Sequence, residues 1–307
     1  MLRYAVLSLA ICLARPLSAM PTNSHTGLTS MHPILPNPNQ PDQRLANIPP
    51  PKVVTISETH LMSLYNMTAP PPPSGRRPAS TPSSAKRETI GPDDRVRWDD
   101  TNYPYSAMGR LTGPTFLCSA SLIGPRHVAT ARHCHVPDVP YYFAPAYNGG
   151  EVLPGAQVTT VLMPAQPFPE GACGEPYDWA IFVLDKPLGE QLGFLGARSI
   201  DDSKRGKPIF YNYGYPGDKD AGSRPYRQQS ITVSTEKRCD ATGPLDTDAD
   251  SSQGQSGGPL WLEEDGDIWQ YGVSSLLWWI NGVYARVSFA SGEGFVAGIV
   301  HARETWP

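Results

Sequence analysis

The 307-residue chain has little charge, because only 18% of its residues are Asp, Glu, Lys or Arg and the formal net charge is −4. No block of Lys and Arg longer than a short pair occurs, so the electrostatic footprint of a nucleic-acid-binding protein is missing. Beyond the N-terminus there is also no run of about 18 apolar residues, the length that a membrane-spanning helix requires. Nucleic acid and membrane are therefore not expected as partners.

Cysteine is scarce as well: the chain has five, too few for a small scaffold held together by disulfides. Helix-compatible composition is also lacking, since the chain contains 34 prolines and 28 glycines. A proline inside a helix costs about 3 kcal/mol, which argues against a helical bundle. The length is sufficient for one large β domain or for two smaller lobes with their own cores.

The N-terminus has the organisation of a secretory signal. Arg3 precedes an apolar run over residues 4–13, and small residues stand at Ser18 and Ala19. This pattern predicts a signal peptide over residues 1–19 that is cleaved after Ala19, with a short buried helix as the alternative. One cysteine, Cys12, would leave with the signal. The four others would then lie in an oxidising compartment, where they allow three disulfide connectivities.

Residues 20–87 have the composition of a removable region. They hold 14 of the 34 prolines and none of the seven tryptophans, so we expect little compact structure there. The region ends at the dibasic pair Lys86-Arg87 in a polar stretch, the kind of exposed site at which processing proteases cut. We interpret residues 20–87 as a pro-segment and Glu88 as the mature N-terminus. A permanent flexible linker is the alternative.

From residue 88 the sequence consists of short apolar runs separated by Gly, Pro, Asn and Asp. Runs of this length with turn residues between them predict an all-β sandwich or barrel. One helix is predicted near the end, over about residues 294–303. The predicted strands are 116–123, 127–131, 180–184, 208–213, 230–234, 260–262, 271–277 and 282–287.

Three motifs in this region carry chemistry. They are Thr130-Ala131-Arg132-His133-Cys134, an Asp that opens the apolar run 178–184, and Gly254-Gln255-Ser256-Gly257-Gly258-Pro259-Leu260. A serine hydroxyl is a poor nucleophile until a base removes its proton, and a histidine base needs an acceptor that fixes its tautomer. The flanking glycines let the backbone bend tightly enough to aim amide groups at a developing oxyanion. Each motif alone is weak, but together they indicate a serine hydrolase.

These residues resemble the trypsin/chymotrypsin-type serine endopeptidases, and within them the glutamyl endopeptidase branch. The branch is suggested by Ile90-Gly91-Pro92-Asp93-Asp94-Arg95, by Gly214-Tyr215-Pro216-Gly217-Asp218-Lys219 and by Asn281-Gly282-Val283-Tyr284. The resemblance covers residues 88–307. It implies two packed antiparallel β-barrels with a short C-terminal helix, and a catalytic site in the cleft between them.

The resemblance also implies the roles of individual residues. His133 would be the general base, Asp178 the acid that orients it, and Ser256 the nucleophile. The amides of Gly254 and Ser256 would form the oxyanion hole. No metal or cofactor is implied. The resemblance further pairs two of the cysteines, which leaves the other two to pair with each other: Cys118 with Cys134, and Cys173 with Cys239.

The sequence departs from the family pattern beside the nucleophile and in the substrate pocket. Trypsins place an Asp before the serine to bind a newly freed N-terminal amine, whereas here Gln255 makes that switch impossible. Glutamyl endopeptidases use a histidine to hold the substrate carboxylate, but the comparable residue is Ser274. Asp250 lies six residues before Ser256, the spacing of the trypsin pocket acid. We therefore predict cleavage after basic residues, with acidic or broader preference as alternatives.

The prediction is a secreted serine endopeptidase, made as a precursor, that acts on proteins or peptides and is processed by another protease at Lys86-Arg87. An inactive homologue that serves as an extracellular binding protein is the alternative, although no member of the triad is missing. A lipase is disfavoured, because it would need Gly-x-Ser-x-Gly on a strand-to-helix elbow, whereas here the residues after Ser256 are expected to continue as a strand from Pro259. Calcium is not expected at Asp246, Asp248 and Asp250, because the required Gly and Glu are absent from that stretch.

Overall fold

Two β-sheets form the framework of the fold in a computed structural model that describes residues 26–30, 42–57, 59–63, 74–77, 93–165, 171–239, 243–280 and 283–307. The predicted signal peptide, Lys86-Arg87 and Glu88 lie outside the described residues. The strands are β1 (Thr26–Ser30), β2 (Lys52–Ile56), β3 (Val96–Arg97), β4 (Met108–Thr112), β5 (Leu117–Leu122), β6 (His127–Ala131), β7 (Tyr142–Pro145), β8 (Ala156–Pro164), β9 (Trp179–Leu184), β10 (Gly196–Ala197), β11 (Pro208–Gly214), β12 (Tyr226–Thr232), β13 (Leu245–Thr247), β14 (Pro259–Glu264), β15 (Asp267–Ile280) and β16 (Val283–Ser291).

The first sheet closes on itself. Its order is β2-β8-β7-β4-β5-β6-β9, and β8 also pairs with β9, so the six strands β4 to β9 form a closed antiparallel barrel. Strands β5, β6 and β9 are buried along their whole length, which agrees with their continuous apolar or small residues. Three barrel strands were not predicted. Strand β4 contains Gly109 and Arg110, β7 has four residues, and β8 mixes polar and apolar residues without a clean alternation.

The second sheet has the order β13-β16-β15-β14-β11-β12-β3, and a bridge between Val233 and Thr247 joins β12 to β13. Its barrel is therefore less complete than the first. The two barrels pack together through aromatic rings: Tyr105 lies 5.5 Å from Tyr213 and 6.2 Å from Trp261 between ring centroids. The predicted two-barrel all-β fold is confirmed.

Helices are short. They include α1 (Gly189–Leu192), α2 (Glu293–Thr305) and 3-10 turns at Gln43–Leu45, Tyr105–Ala107, Arg132–Cys134, Gly171–Tyr177, Asp202–Lys204 and Asp220–Gly222, and residues 59–63 are also helical. The predicted C-terminal helix is confirmed as α2, whose Phe295 ring lies 6.1 Å from Trp179. A Cβ at Gly298 would lie 2.4 Å from the same indole, so only glycine permits this approach. In the described part of the chain, no helix is long and apolar enough to cross a membrane.

Part of the predicted pro-segment is packed onto the barrels. Strand β2 pairs in parallel with β8, with Ile56 opposite Pro164. Ile56 and Leu61 are 5% and 2% exposed and belong to the cluster that contains Trp179 and Phe295. The expectation of little compact structure over residues 20–87 is therefore wrong for residues 42–57 and 59–63. The segment lacks a core of its own, but Ile56 and Leu61 join the core of the domain.

Candidate active site

His133 and Asp178 lie at the ends of two neighbouring strands. His133 is in the turn that follows β6, Asp178 directly precedes β9, and the two strands pair with Ala131 opposite Trp179. The backbone N–H of His133 donates to Asp178 Oδ1 at 2.9 Å, and His133 Nδ1 lies 2.7 Å from Asp178 Oδ2. A proton on Nδ1 satisfies the second contact and leaves Nε2 as the basic nitrogen. The structure thus brings the predicted base and its orienting acid together.

The Asp178 carboxylate also receives a hydrogen bond from the second barrel. Ser275 in β15 donates its hydroxyl to Asp178 Oδ2 at 2.5 Å. Burial alone would raise the pKa of Asp178, but the charge of His133 and the hydrogen bonds from His133 and Ser275 outweigh it and lower the pKa. Sequence analysis missed Ser275, and its only signal was that it directly follows Ser274.

Ser256 lies against the segment that carries His133. Its carbonyl oxygen accepts from the N–H of Ser119 in β5 at 2.8 Å and lies 3.9 Å from Cys134 Sγ. Cys134 follows His133 directly and forms a disulfide with Cys118, the residue before Ser119. The nucleophile loop and the histidine turn are therefore fixed to the same strand of the first barrel.

Two glycines allow the Ser256 loop to approach the first barrel this closely. Gly257 has φ +81°, and a Cβ there would lie 2.0 Å from Thr130 Oγ1 and 2.3 Å from the Ser119 carbonyl oxygen. Gly254 has φ +93°, and a Cβ there would lie 2.4 Å from the Tyr215 carbonyl oxygen. Both positions therefore require glycine for conformation and for space.

Hydrogen bonds within the loop orient the two peptide groups of the predicted oxyanion hole. The carbonyl of Gln253 accepts from Gly217 N, and the carbonyl of Gln255 accepts from Gly258 N, both at 2.8 Å. In a trans peptide the N–H points opposite to the C=O, so the amides of Gly254 and Ser256 point away from these two partners. Ser119 Oγ adds a hydrogen bond to the Gly254 carbonyl at 2.8 Å.

The predicted substrate-binding residues lie on two sides of this loop. The Ser274 carbonyl accepts from Gly257 N at 2.7 Å. Its hydroxyl is fully buried and has no hydrogen-bond partner among the described residues. The Asp250 carboxylate accepts from the Asp94 N–H at 3.1 Å and from Gln228 Nε2 at 3.3 Å. Burial and the neighbouring Asp250 raise the pKa of the Asp94 carboxyl.

The other two cysteines lie beside a cluster of ion pairs centred on Arg238. Cys173 and Cys239 form a disulfide, which completes the expected pairing. The adjacent Arg238 pairs with Asp246 at 2.6 Å and with the buried Glu175 at 2.9 Å. Asp246 is therefore neutralised by arginine, and no group of three His, Cys, Asp or Glu side chains in the described ranges could hold a metal ion.

Comparison with known proteins agrees with this geometry. The model of the Trypsin family matches residues 96–290. The chain belongs to the trypsin family. Among curated relatives, the glutamyl endopeptidase of Bacillus licheniformis is 30% identical over 238 residues, which cover 75% of this chain and 72% of that protein. Spermosin of Halocynthia roretzi is 25% identical over 229 residues, which cover 64% of this chain and 58% of that protein.

Solved structures give the same result. A structure of a Glu endopeptidase in complex with MPD matches with a TM-score of 0.58 and 25% identity, over 70% of this chain and 99% of that chain. A thermostable serine protease, AL20, matches with a TM-score of 0.52 and 20% identity, over 66% of this chain and 98% of that chain, and supports the fold alone. This trypsin-family chain is a serine endopeptidase of the glutamyl endopeptidase-like branch.

Gly257→Ala tests the close approach of the nucleophile loop. We expect it to lower the free energy of unfolding by about 2–4 kcal/mol, because the new Cβ meets Thr130 and the positive φ is strained. Peptidase activity should fall by about 10²-fold or more, since Ser256 is displaced. Gly294→Ala in α2 is the control, because its Cβ would meet nothing within 4 Å. Wild-type activity in Gly257→Ala would contradict the assignment.

Proposed function

We propose that this protein is a secreted serine endopeptidase, made as a precursor, in which His133, Asp178 and Ser256 perform acyl transfer. The observation that carries the proposal is the Asp178 carboxylate, which binds His133 through both its backbone N–H and Nδ1. This arrangement fixes the imidazole in the tautomer that a general base requires.

Catalysis then proceeds in two steps. The Ser256 hydroxyl attacks the scissile carbonyl carbon while His133 Nε2 takes its proton, and the amides of Gly254 and Ser256 bind the developing oxyanion. His133 next gives that proton to the leaving amine, and the C–N bond breaks. Water then attacks the acyl-enzyme carbonyl carbon while His133 takes one of its protons. The bond from that carbon to Ser256 Oγ breaks, His133 returns the proton to Oγ, and the carboxylic acid leaves. Asp178 stays ionised throughout and stabilises the imidazolium.

Secretion and processing are supported by independent features. Residues 1–19 have the pattern of a signal peptide. The two disulfides require an oxidising compartment. The dibasic pair Lys86-Arg87 separates the proline-rich segment from the peptidase domain, so a processing protease acting there would start the mature chain at Glu88.

Basic residues are the substrate side chains that the pocket acids favour. Asp250 and Asp94 lie next to each other, since the Asp250 carboxylate accepts from the Asp94 N–H, and two neighbouring carboxylates create a negative local potential. Such a potential attracts a Lys or Arg side chain and repels a carboxylate. The name glutamyl endopeptidase, carried by a relative, stands for the opposite preference, but Ser274 cannot supply the positive charge that a Glu substrate needs.

Ser256→Ala should abolish turnover while leaving the fold intact. We expect the rate of peptide hydrolysis by the processed enzyme to fall by about 10⁶-fold, and labelling by a fluorophosphonate probe to disappear. Ser203→Ala, at an exposed serine, is the control and should behave like wild type. Turnover by Ser256→Ala close to that of wild type would exclude Ser256 as nucleophile. A wild-type enzyme that takes no label after processing would instead identify an inactive binding homologue.

Asp250→Asn tests the substrate preference. On a peptide library, wild type should cleave mainly after Lys and Arg, and the variant should lose about 10²-fold in kcat/KM on those peptides because an unpaired cation is left in the pocket. Asp248→Asn, two residues away and exposed, is the acidic control. Dominant cleavage after Glu that Asp250→Ala leaves unchanged would refute the basic preference and support the glutamyl alternative.

A further inference from the structure

The residue before the nucleophile is bound by a buried arginine from the start of the peptidase domain. The Arg95 side chain is 5% exposed, and its Nη1 donates to Gln255 Oε1 at 2.7 Å. Gln255 is itself 1% exposed. A contact between residues 160 positions apart, made inside the protein beside Ser256, indicates more than surface charge pairing.

Gln255 transmits this contact to the backbone of the nucleophile loop. Its Oε1 also accepts from the N–H of Ser252 at 3.1 Å, and its Nε2 donates to Asn212 Oδ1 at 3.1 Å. Its main-chain carbonyl accepts from Gly258 N at 2.8 Å, which orients the peptide group that carries the Ser256 N–H. Fixing the Gln255 side chain therefore fixes the direction of an oxyanion-hole donor.

Arg95 is held in this place by two carboxylates. Asp218 Oδ2 accepts from Nη2 at 2.6 Å, and Asp93 Oδ1 accepts from Nε at 2.9 Å. Burial alone would lower the pKa of Arg95. The hydrogen bonds and charges of Asp93 and Asp218 outweigh that effect and raise the pKa above its usual value. The guanidinium stays charged and its geometry is fixed on three sides.

We infer that Arg95 is a positioning residue, which holds the Gly254 and Ser256 amides in their oxyanion-binding orientation through Gln255. The inference rests on the proposed function. Trypsins achieve this order with a freed N-terminal amine and an Asp, but here the donor is a side chain within the continuous chain. Cleavage at Lys86-Arg87 is therefore not needed to order the loop.

Arg95→Met removes the donor and tests this role in the processed enzyme. We expect kcat to fall by about 10²-fold with little change in KM, because only transition-state binding is lost. The rate of Ser256 phosphonylation by diisopropyl fluorophosphate should fall similarly, since it depends on the same amides. Arg205→Met is the matched control: Arg205 is also buried, but it bonds Asp202 and the Ser234 carbonyl in the second barrel.

Arg95→Lys tests the role through the pH dependence of kcat, which would not change if Arg95 only stabilised the fold. A lysine keeps the charge, but it deprotonates near pH 10, so kcat should fall as the pH rises through that value, whereas wild type should show no such loss. If Arg95→Met does not fold, the pH profile of Arg95→Lys is the measurement that tests the inference. Wild-type kcat and pH profile in a folded Arg95 variant would overturn the inference and leave the endopeptidase assignment intact. If wild-type Ser256 does not react with diisopropyl fluorophosphate, the proposed function itself is wrong.

A second inference comes from the edge of β15. One edge of this strand pairs with β16 from Gly272 to Ile280. The other edge pairs with β14 up to Val273, and then with β1, in which Ser30 lies opposite Leu276 and Thr26 opposite Ile280. The pairing is antiparallel, so β1 runs toward the part of β15 that contains Ser275.

The part of β15 around Ser275 belongs to the candidate active site. Ser275 bonds the Asp178 carboxylate, and the preceding Ser274 bonds Gly257 in the nucleophile loop. Ser256 is 0% exposed in the full chain. The geometry points to an autoinhibitory role for residues Thr26–Ser30, which occupy by strand addition the β15 edge that a peptide substrate would use. This inference also rests on the proposed function.

A synthetic peptide of residues 21–35 tests this occupancy. It should inhibit the processed enzyme competitively, raising the apparent KM without changing kcat. The same peptide with Leu28→Pro and Thr29→Pro should inhibit at least 10-fold more weakly, because proline removes ladder N–H groups. In the uncut precursor carrying Lys86→Ala and Arg87→Ala, the two prolines should increase phosphonylation of Ser256.

Two results would overturn the autoinhibitory role. One is a peptide that inhibits non-competitively or not at all. The other is an uncut precursor that reacts with diisopropyl fluorophosphate as fast as the processed enzyme, with or without the prolines. Both leave the endopeptidase assignment in place, because the processed enzyme reports on it separately.

Discussion

The Asp178 carboxylate is the contact on which the active site depends. A buried carboxylate is costly unless hydrogen bonds and an opposite charge compensate it. Here the compensation comes from both barrels, through His133 in the first and Ser275 in the second. Satisfying this one charge therefore orients the base and also fixes β15 against the end of β6. The barrels need each other for the site to be complete.

Close backbone approach is the second constraint, and it explains the glycines around Ser256. Ser119 in the first barrel bonds the carbonyls of both Ser256 and Gly254. These bonds bring the loop so near β5 and β6 that a Cβ at Gly257 would overlap Thr130. A loop with side chains at these positions would have to withdraw, and the nucleophile would move away from the histidine. Position and reactivity are set by the same packing.

The three candidate catalytic residues could be selected from the sequence because their chemistry restricts residue type and local context: a serine between glycines, a histidine after a strand, an aspartate before one. The strands that are apolar throughout, such as β6 and β9, were also predictable. Ser275, Ser119 and Arg95 were not, because ordinary residue types acquire their roles only through contacts across the fold. The docking of β2 escaped prediction for the same reason, since Ile56 completes a core that belongs to the rest of the chain.

The charge pattern around Gln255 has a further consequence for control. The neutral amide of Gln255 supplies no counter-charge, so the positive charge of Arg95 is balanced by Asp93 and Asp218 instead. All three charged groups lie in the domain that remains after a cut at Lys86-Arg87, and none is created by that cut. Cleavage therefore leaves this cluster chemically unchanged. A cut at Lys86-Arg87 would separate β1 covalently from the domain, so the autoinhibition inferred above places control in the release of β1 and not in a rearrangement of the loop that carries Ser256.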